Sequence, residues 1–245
     1  ILFERLSMIE NVVFNTAPDI EILSVGRERR PVIVYDNILL NPEQLLDYAE
    51  TGAAFETTPS DYYPGVRKSI GGNYAESLCR ALASSLESEF DQLLRGDPRV
   101  DLCALSMTTT EPSRLRPIQS LPHFDTSDGA QLAVIHYLCG PQFGGTSFYR
   151  HRQTGFESIT GDRVHSYAST LKEEVVTAKF PGQTYVDGDS LWFERTASIK
   201  AKFNRAIVFP GNVLHSGDIN TDCGLSGEPR HGRLTANTFI NFSTE

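Results

Sequence analysis

The sequence lacks most of the short patterns that assign an enzyme to a class. HExxH, GxSxG, the Walker A pattern and GxGxxG are absent, so nothing indicates a zinc metalloprotease, an α/β-hydrolase, a P-loop or a dinucleotide site. The four cysteines form no CxxC pair, which argues against a zinc ribbon and a thioredoxin-type site. They are also too few for a disulfide framework in a chain of 245 residues. The HxH pair of a cupin is missing too.

Positive charge and long apolar runs are also scarce. The chain has 22 Lys and Arg against 31 Asp and Glu, a formal net charge of -9, whereas nucleic-acid binding needs a basic face. No apolar run is long enough to span a bilayer. We therefore expect no nucleic-acid site and no membrane partner, and a cytoplasmic location, because the cysteine pattern indicates a reducing compartment. The chain begins at Ile1 rather than methionine, so the absence of a leader sequence excludes nothing. The sequence does not define an oligomeric state.

The chain does contain enough apolar sequence for a packed core, with 40% hydrophobic residues, and we expect residues 1–245 to form a single domain. Residues 31–39 predict a strand. Helices are predicted at 43–50 and 74–94, because apolar residues of the second segment recur at helical spacing. Residues 55–72 are rich in Pro, Gly and Tyr and predict a long loop.

The pattern changes near residue 100, where short extended segments replace the helices. Residues 1–99 are expected to be mainly helical support and loop, and residues 100–242 to form the β-rich core. Six segments favour strands: 100–109, 130–139, 145–152, 190–196, 205–210 and 233–241. Turn sequences separate them, and a further helix is predicted at 164–176. The expected fold is mainly β with N-terminal helices, arranged as a sandwich or an open barrel.

Three polar side chains within this β-rich region form a candidate metal site. His123 and Asp125 are two residues apart in the stretch LPHFDTSDG, and in extended backbone they face the same side, roughly 6.5 Å apart at Cα. His215 follows a predicted strand and turn and supplies a third ligand. Two His and one carboxylate on one side of the ion are typical of non-haem Fe(II) oxygenases and leave three coordination positions open. The alternative is a polar pair on a solvated strand.

A 2-oxo acid at two of the open positions would need a partner for its distant carboxylate. Arg233 and Thr235 are two apart on a predicted strand, so a guanidinium and a hydroxyl face the same way and can hold one carboxylate. Arg205 is the alternative, but a structural ion pair at a strand start explains it better. Of the remaining histidines, His136 is expected to be a satisfied interior residue. His151, His165 and His231 are expected at the surface.

These residues together resemble the motifs of the Fe(II)/2-oxoglutarate-dependent dioxygenases. The matching positions are His123-Phe124-Asp125, His215 and Arg233-Leu234-Thr235. The flanking NRAIVFPGNVLHSG, and Tyr137-Leu138 followed by Gly144-Gly145-Thr146, are similar to the prolyl-hydroxylase-like branch. One departure is that Arg233 lies further from His215 than is usual in that branch, with TDCGLSGEPRHG inserted between them.

The resemblance covers residues 100–242 and implies a double-stranded β-helix, or jelly roll. It implies Fe(II), 2-oxoglutarate as co-substrate and O₂, with hydroxylation of a substrate C–H bond as the default reaction. It requires no catalytic residue beyond the metal ligands. Tyr137 is either a further hydrogen-bond donor to 2-oxoglutarate or a core residue.

The substrate is less well defined than the site. The resemblance favours a peptide side chain or an amino-acid-like small molecule. Tyr62, Tyr63 and Arg67 either form a lid over the substrate pocket or pack the helices onto the sheet. Two other functions remain compatible with the residues: a non-catalytic jelly-roll module that binds a metal or ligand, and an iron oxygenase of the same fold that does not use 2-oxoglutarate.

Overall fold

The computed structural model describes residues 12–57, 62–71, 73–94, 96–178, 182–223 and 225–242. It contains ten strands and three α-helices within these ranges. The strands are β1 (Asp19–Val25), β2 (Arg30–Asp36), β3 (Gly65–Ser69), β4 (Arg99–Thr108), β5 (Gln131–Tyr137), β6 (Thr146–His151), β7 (Phe193–Ile199), β8 (Arg205–Pro210), β9 (His215–Gly217) and β10 (Leu234–Asn241). The helices are α1 (Glu43–Glu50), α2 (Tyr74–Phe90) and α3 (Val164–Ala178). No described helix is both long enough and apolar enough to cross a membrane.

The strands form two antiparallel sheets. The large sheet has the order β1-β2-β8-β5-β10-β4-β3, and the small sheet has the order β7-β6-β9. An isolated bridge between His123 and His215 continues the small sheet by one residue beyond β9. This arrangement confirms the prediction of a mainly β fold with two packed sheets.

Side chains of the large sheet alternate between two cores, because successive residues of a strand face opposite sides. On β5, Leu132 and Val134 pack with α1 and α2, whereas Ala133 and Tyr137 pack with residues of the small sheet such as Phe148. Tyr137 and the residues in register with it therefore face the space between the sheets.

Helix α2 covers the outer side of the large sheet. Its buried residues follow helical spacing: Tyr74, Leu78, Leu82, Leu86 and Phe90. Helix α1 is tied to β3 by Lys68, a buried lysine whose Nζ donates to the carbonyl oxygens of Tyr48 (2.5 Å) and Thr51 at the helix C-terminus. This contact fixes the last strand of the large sheet.

The region before residue 100 differs from the prediction. Residues 1–99 were expected to be mainly helical support and loop, with one strand at 31–39 that corresponds to β2; β1 and β3 are additional strands of the large sheet. The loop predicted at 55–72 was wrong at Gly65–Ser69, where GVRKS forms β3 by pairing with β4. The segment has no apolar alternation, so only its neighbouring strand indicates its conformation. Residues 58–61 and 72 of that loop lie outside the described residues.

The elements after residue 100 agree better with the prediction. Each of the six predicted strands overlaps an observed one, and α3 contains the predicted helix 164–176. The three-residue β9 is an addition. The prediction that His151 lies at the surface was wrong. His151 is fully buried, and its ring nitrogens contact Thr154 and Glu174.

Candidate metal centre

The backbone brings His123, Asp125 and His215 to one point between the sheets. His123 and His215 exchange both backbone hydrogen bonds, at 2.9 and 2.8 Å. The Asp125 amide donates to the carbonyl of Gly211 at 2.8 Å. Residues 123–125 are therefore fixed against the segment 211–215, and the alternation along extended backbone turns both His123 and Asp125 toward His215.

One donor atom from each of the three side chains lies within 4.8 Å of the others. His123 Nε2 is 3.9 Å from Asp125 Oδ1, and His215 Nε2 is 3.6 Å from Asp125 Oδ2. His215 Nδ1 donates to the carbonyl of Val213 at 2.9 Å, since a carbonyl only accepts. This bond leaves the Nε2 lone pair of His215 directed at the cluster, as a metal ligand requires.

The electrostatics of the three groups suit a divalent cation. Burial lowers the pKa of His215 to about 4 and raises that of Asp125 to about 6. Desolvation and the neighbouring His215 lower the pKa of His123 to about 4 as well. Neutral imidazoles are the form that binds metals. Asp125 Oδ2 is buried without a hydrogen-bond partner among the described residues, and a divalent cation would satisfy it.

A second group of polar side chains lies deeper in the same space. Arg233 is 6% exposed, and its Nη2 donates to the carbonyl of Gly145 at 2.9 Å. Its Nε is buried without a partner in the described part of the chain. Gly217 leaves room beside this guanidinium, because a Cβ there would lie 3.5 Å from Nη2. A buried guanidinium with an unused donor fits a carboxylate ligand.

Thr235 and Tyr137 lie beside Arg233 on the two central strands. They are direct cross-strand partners, so their side chains share the inward face. The Tyr137 hydroxyl lies 2.6 Å from Thr146 Oγ1, and the guanidinium carbon of Arg233 is 5.9 Å from the centre of the Tyr137 ring. Burial raises the pKa of Tyr137 to about 12, so it remains a neutral donor. Among the described residues, the Thr235 hydroxyl makes one long contact, 3.4 Å, to the carbonyl of Ser106.

The candidate substrate residues separate into two groups. The guanidinium carbon of Arg67 lies 4.7 Å from the centre of the Tyr63 ring, and the Tyr63 hydroxyl is 3.0 Å from Thr108 Oγ1. The positive charge of Arg67 lowers the pKa of both His123 and Asp125, which places it near the metal site. Tyr62, by contrast, is 62% exposed and stacks against Arg116.

The other candidates have structural roles. Arg205 forms an ion pair with Asp36, 2.6 Å from Nε to Oδ1. His136 is buried, with Nδ1 3.3 Å from the Tyr74 hydroxyl and Nε2 3.2 Å from Asn204 Oδ1. Both arrangements match the sequence-based interpretation of these residues.

One polar residue of this space was missed. Ser106 on β4 is fully buried, its Oγ has no partner among the described residues, and it is the cross-strand partner of Thr235. A serine within the strand segment DLCALSMT was the available signal, because an inward-facing serine in an apolar strand needs a hydrogen-bond partner.

Comparisons with known proteins identify a sequence family and several solved structures of similar fold. A model of a family of unknown function, DUF6445, matches residues 16–240. No curated protein matches the chain. The crystal structure of the non-haem, alpha-ketoglutarate-dependent epimerase SnoN from nogalamycin biosynthesis is similar, with 13% identity, 89% of this chain and 80% of that chain covered and a TM-score of 0.53.

Two further solved structures are similar at lower scores. HygX from Streptomyces hygroscopicus, with nickel, 2-oxoglutarate and hygromycin B bound, has 10% identity, coverage of 89% of this chain and 87% of that chain, and a TM-score of 0.47. EctD from S. alaskensis with bound Fe has 13% identity, coverage of 96% and 85%, and a TM-score of 0.40. At these identities the likeness concerns the fold, and the predicted jelly roll is confirmed.

Proposed function

The chain belongs to the DUF6445 family of unknown function, and we propose that it is a non-haem Fe(II) oxygenase that uses 2-oxoglutarate. The observation that carries the proposal is the orphaned Asp125 Oδ2, buried beside two neutral imidazoles, together with the orphaned Nε of the buried Arg233. Two histidines and one carboxylate suit Fe(II), and they leave positions for a bidentate co-substrate and O₂. A polar cluster with no role in metal binding would not need an unsatisfied carboxylate oxygen.

In this proposal His123, Asp125 and His215 hold the iron, and bound iron supplies the activation of O₂ that drives oxidation of the substrate. The Val213 carbonyl orients His215 through Nδ1, and the backbone exchange between His123 and His215 keeps the two rings at a centroid distance of 4.4 Å. The ligand geometry is thus built into the backbone before a metal binds.

Arg233, Thr235 and Tyr137 are proposed to hold the distant carboxylate of 2-oxoglutarate. Arg233 would donate through its unused Nε, and the two hydroxyls lie on the same inward face of the large sheet. All three side chains are almost fully buried, so water is excluded from this end of the pocket. Charge-assisted hydrogen bonds are strongest in such surroundings.

The reaction we infer is hydroxylation of a C–H bond in a peptide side chain or an amino-acid-like small molecule. The segment from Asn204 to Gly217 and the Gly144-Gly145-Thr146 turn support a placement near the prolyl-hydroxylase-like branch of these enzymes. Gly145 gives that turn a specific role here, because its carbonyl holds Arg233.

The test is succinate formation from 2-oxoglutarate by the purified protein with Fe(II) and O₂, followed by NMR. Without an added primary substrate, we expect 2-oxoglutarate to be converted to succinate at a low rate. This conversion should be lost in His123→Ala and after Fe(II) is removed with a chelator. His165→Ala is the matched control, because His165 is an exposed histidine on α3. Metal and 2-oxoglutarate binding without succinate would instead identify a binding module. Metal binding without 2-oxoglutarate binding would identify an oxygenase of another co-substrate class.

A further inference from the structure

We propose that Arg67 and Ser106 form an anion subsite for the primary substrate, so that this substrate is an organic acid with a carboxylate near the oxidised carbon. The inference rests on the proposed function, because it concerns the same pocket. It is carried by the position of the two residues on the large sheet and by the orphaned hydroxyl of Ser106.

A row of polar residues crosses the inward face of the sheet. Arg67 on β3 is the cross-strand partner of Ser106 on β4. Ser106 in turn pairs with Thr235 on β10, and Thr235 pairs with Tyr137 on β5. Direct partners share a face, and neighbouring strands are about 4.8 Å apart. Arg67 and Thr235 are therefore separated by about 10 Å at Cα, with Ser106 between them.

The two ends of this row differ in burial. Thr235 and Tyr137 are at most 1% exposed, whereas Arg67 is only half-buried and lies on β3, the last strand of the sheet. His123, the metal-site residue nearest to solvent, is half exposed at the edge of the small sheet. The charge of Arg67 acts on both His123 and Asp125, so Arg67 lies near the candidate metal site. Of the two arginines on this face, Arg67 is half-buried and Arg233 is almost fully buried.

The chemistry of the pair selects an anion. A guanidinium with an adjacent hydroxyl donor binds a carboxylate, as proposed for Arg233 and Thr235 at the closed end. Ser106 Oγ is fully buried and without a partner among the described residues, and a bound carboxylate oxygen would satisfy it. The backbone of Arg67 is hydrogen-bonded to Glu56 in both directions, and its guanidinium stacks on Tyr63, so the group is held in place.

The inferred substrate class is therefore a carboxylic acid, which would place its acid group on Arg67 and Ser106.

The experiment compares three acids with their amides: phenylacetate, hexanoate and N-acetylleucine. Binding to the full chain, loaded with Zn(II) and saturating 2-oxoglutarate, is measured by saturation-transfer NMR. We expect at least one acid to bind about tenfold more tightly than its amide. Arg67→Gln should abolish that preference, and Arg67→Lys should keep part of it, because lysine retains the charge without the planar fork.

Arg116→Gln is the matched control, because Arg116 stacks on Tyr62 in the same way as Arg67 stacks on Tyr63. It should retain the preference for the acid. The inference is overturned if no acid is preferred over its amide, if the preference survives Arg67→Gln, or if Arg67→Gln weakens 2-oxoglutarate binding as much as Arg233→Gln does. The last result would place Arg67 in the co-substrate pocket.

The failure of the proposed function gives a different result. In that case calorimetry detects no binding of Zn(II) or of 2-oxoglutarate to the wild-type protein. The acid–amide comparison is then made on the metal-free Arg233→Gln protein. In this variant Arg67 is the one arginine left of the two that we assign to a carboxylate, so a preference for the acid reports on Arg67.

Discussion

Asp125 Oδ2 lies 3.6 Å from His215 Nε2, and no described group donates a hydrogen bond to this buried oxygen. The metal-free protein therefore carries the cost of a desolvated and unsatisfied carboxylate. Under the proposed function, a bound metal ion removes this cost.

Asp125→Asn should separate metal affinity from stability. Loss of the charged ligand should lower Zn(II) affinity by at least a hundredfold, measured by calorimetry. In the presence of a chelator the same substitution should raise the free energy of unfolding by about 1–3 kcal/mol, because a neutral amide is less costly to bury. Asp222→Asn, at an exposed position, should change neither quantity. A metal-free Asp125→Asn protein less stable than wild type would contradict this account of the site.

Arg233→Gln should weaken the binding of 2-oxoglutarate and leave Zn(II) affinity unchanged. We expect a loss of about ten- to a hundredfold, since a charge-assisted hydrogen bond to a carboxylate contributes about 1.5–3 kcal/mol. Titration calorimetry of the Zn(II)-loaded protein measures both.

The matched control is Arg205→Gln on β8, which β5 separates from β10. Arg205 is an arginine of the same sheet that is held by Asp36, so its loss should reduce stability but not 2-oxoglutarate affinity. Equal effects of the two substitutions on affinity would show that the assignment of Arg233 is wrong.

Gly144→Ala and Gly145→Ala should each destabilise the protein by several kcal/mol. A Cβ on Gly144 would lie 1.4 Å from the carbonyl oxygen of Asp218, at a φ of +86°, and a Cβ on Gly145 would lie 2.0 Å from that of Ile199. Backbone atoms cannot move aside as a flexible side chain does, so the turn that supports Arg233 must shift. Gly161→Ala is the control, because a Cβ at that position would have no atom of the described residues within 4 Å, and it should change stability by less than about 0.5 kcal/mol. Urea denaturation measures all three.

His136 should make the stability depend on pH. Burial lowers its pKa from 6.5 to about 4 in the folded protein. The unfolded chain therefore binds a proton first on acidification, and stability is lost between about pH 6.5 and 4, by an amount on the order of 3 kcal/mol. Above pH 6.5 both states are neutral and the contribution vanishes.

Urea denaturation at pH 7, 6 and 5 tests this dependence. His136→Gln should be less stable than wild type at pH 7 but should lose less stability on acidification. His165→Gln, at an exposed histidine, should follow the wild-type profile. Identical pH profiles for His136→Gln and wild type would exclude this role.

Much of the β-rich half could be predicted from the sequence because apolar alternation and turn residues mark its strands. β3 could not, since Gly65–Ser69 owes its conformation to the hydrogen bonds of β4 rather than to its own side chains. His151 was misplaced for a related reason. It lies between Arg150 and Arg152, which indicates a surface position, whereas α3 brings Glu174 over it from 23 residues away.

The candidate ligands were found from spacing, because extended backbone places His123 and Asp125 on one side whatever the rest of the chain does. The position of His215 relative to them depends on a long-range bridge that no local pattern encodes. Ser106 was missed because its importance comes from its neighbours across the strands, Arg67 and Thr235, and the register of a sheet is a tertiary property.

The large sheet gives the two proposed carboxylate sites unequal freedom to change. Tyr137 and Thr235 lie on central strands with a partner ladder on each side, whereas Arg67 lies on the last strand. A substitution on β3 disturbs the pairing with one neighbouring strand, whereas a substitution on β5 or β10 disturbs the pairing with two. Under the proposed function, a substitution at the Arg67 subsite would change which acid is recognised and leave the proposed 2-oxoglutarate site intact, so one scaffold would accommodate different acids.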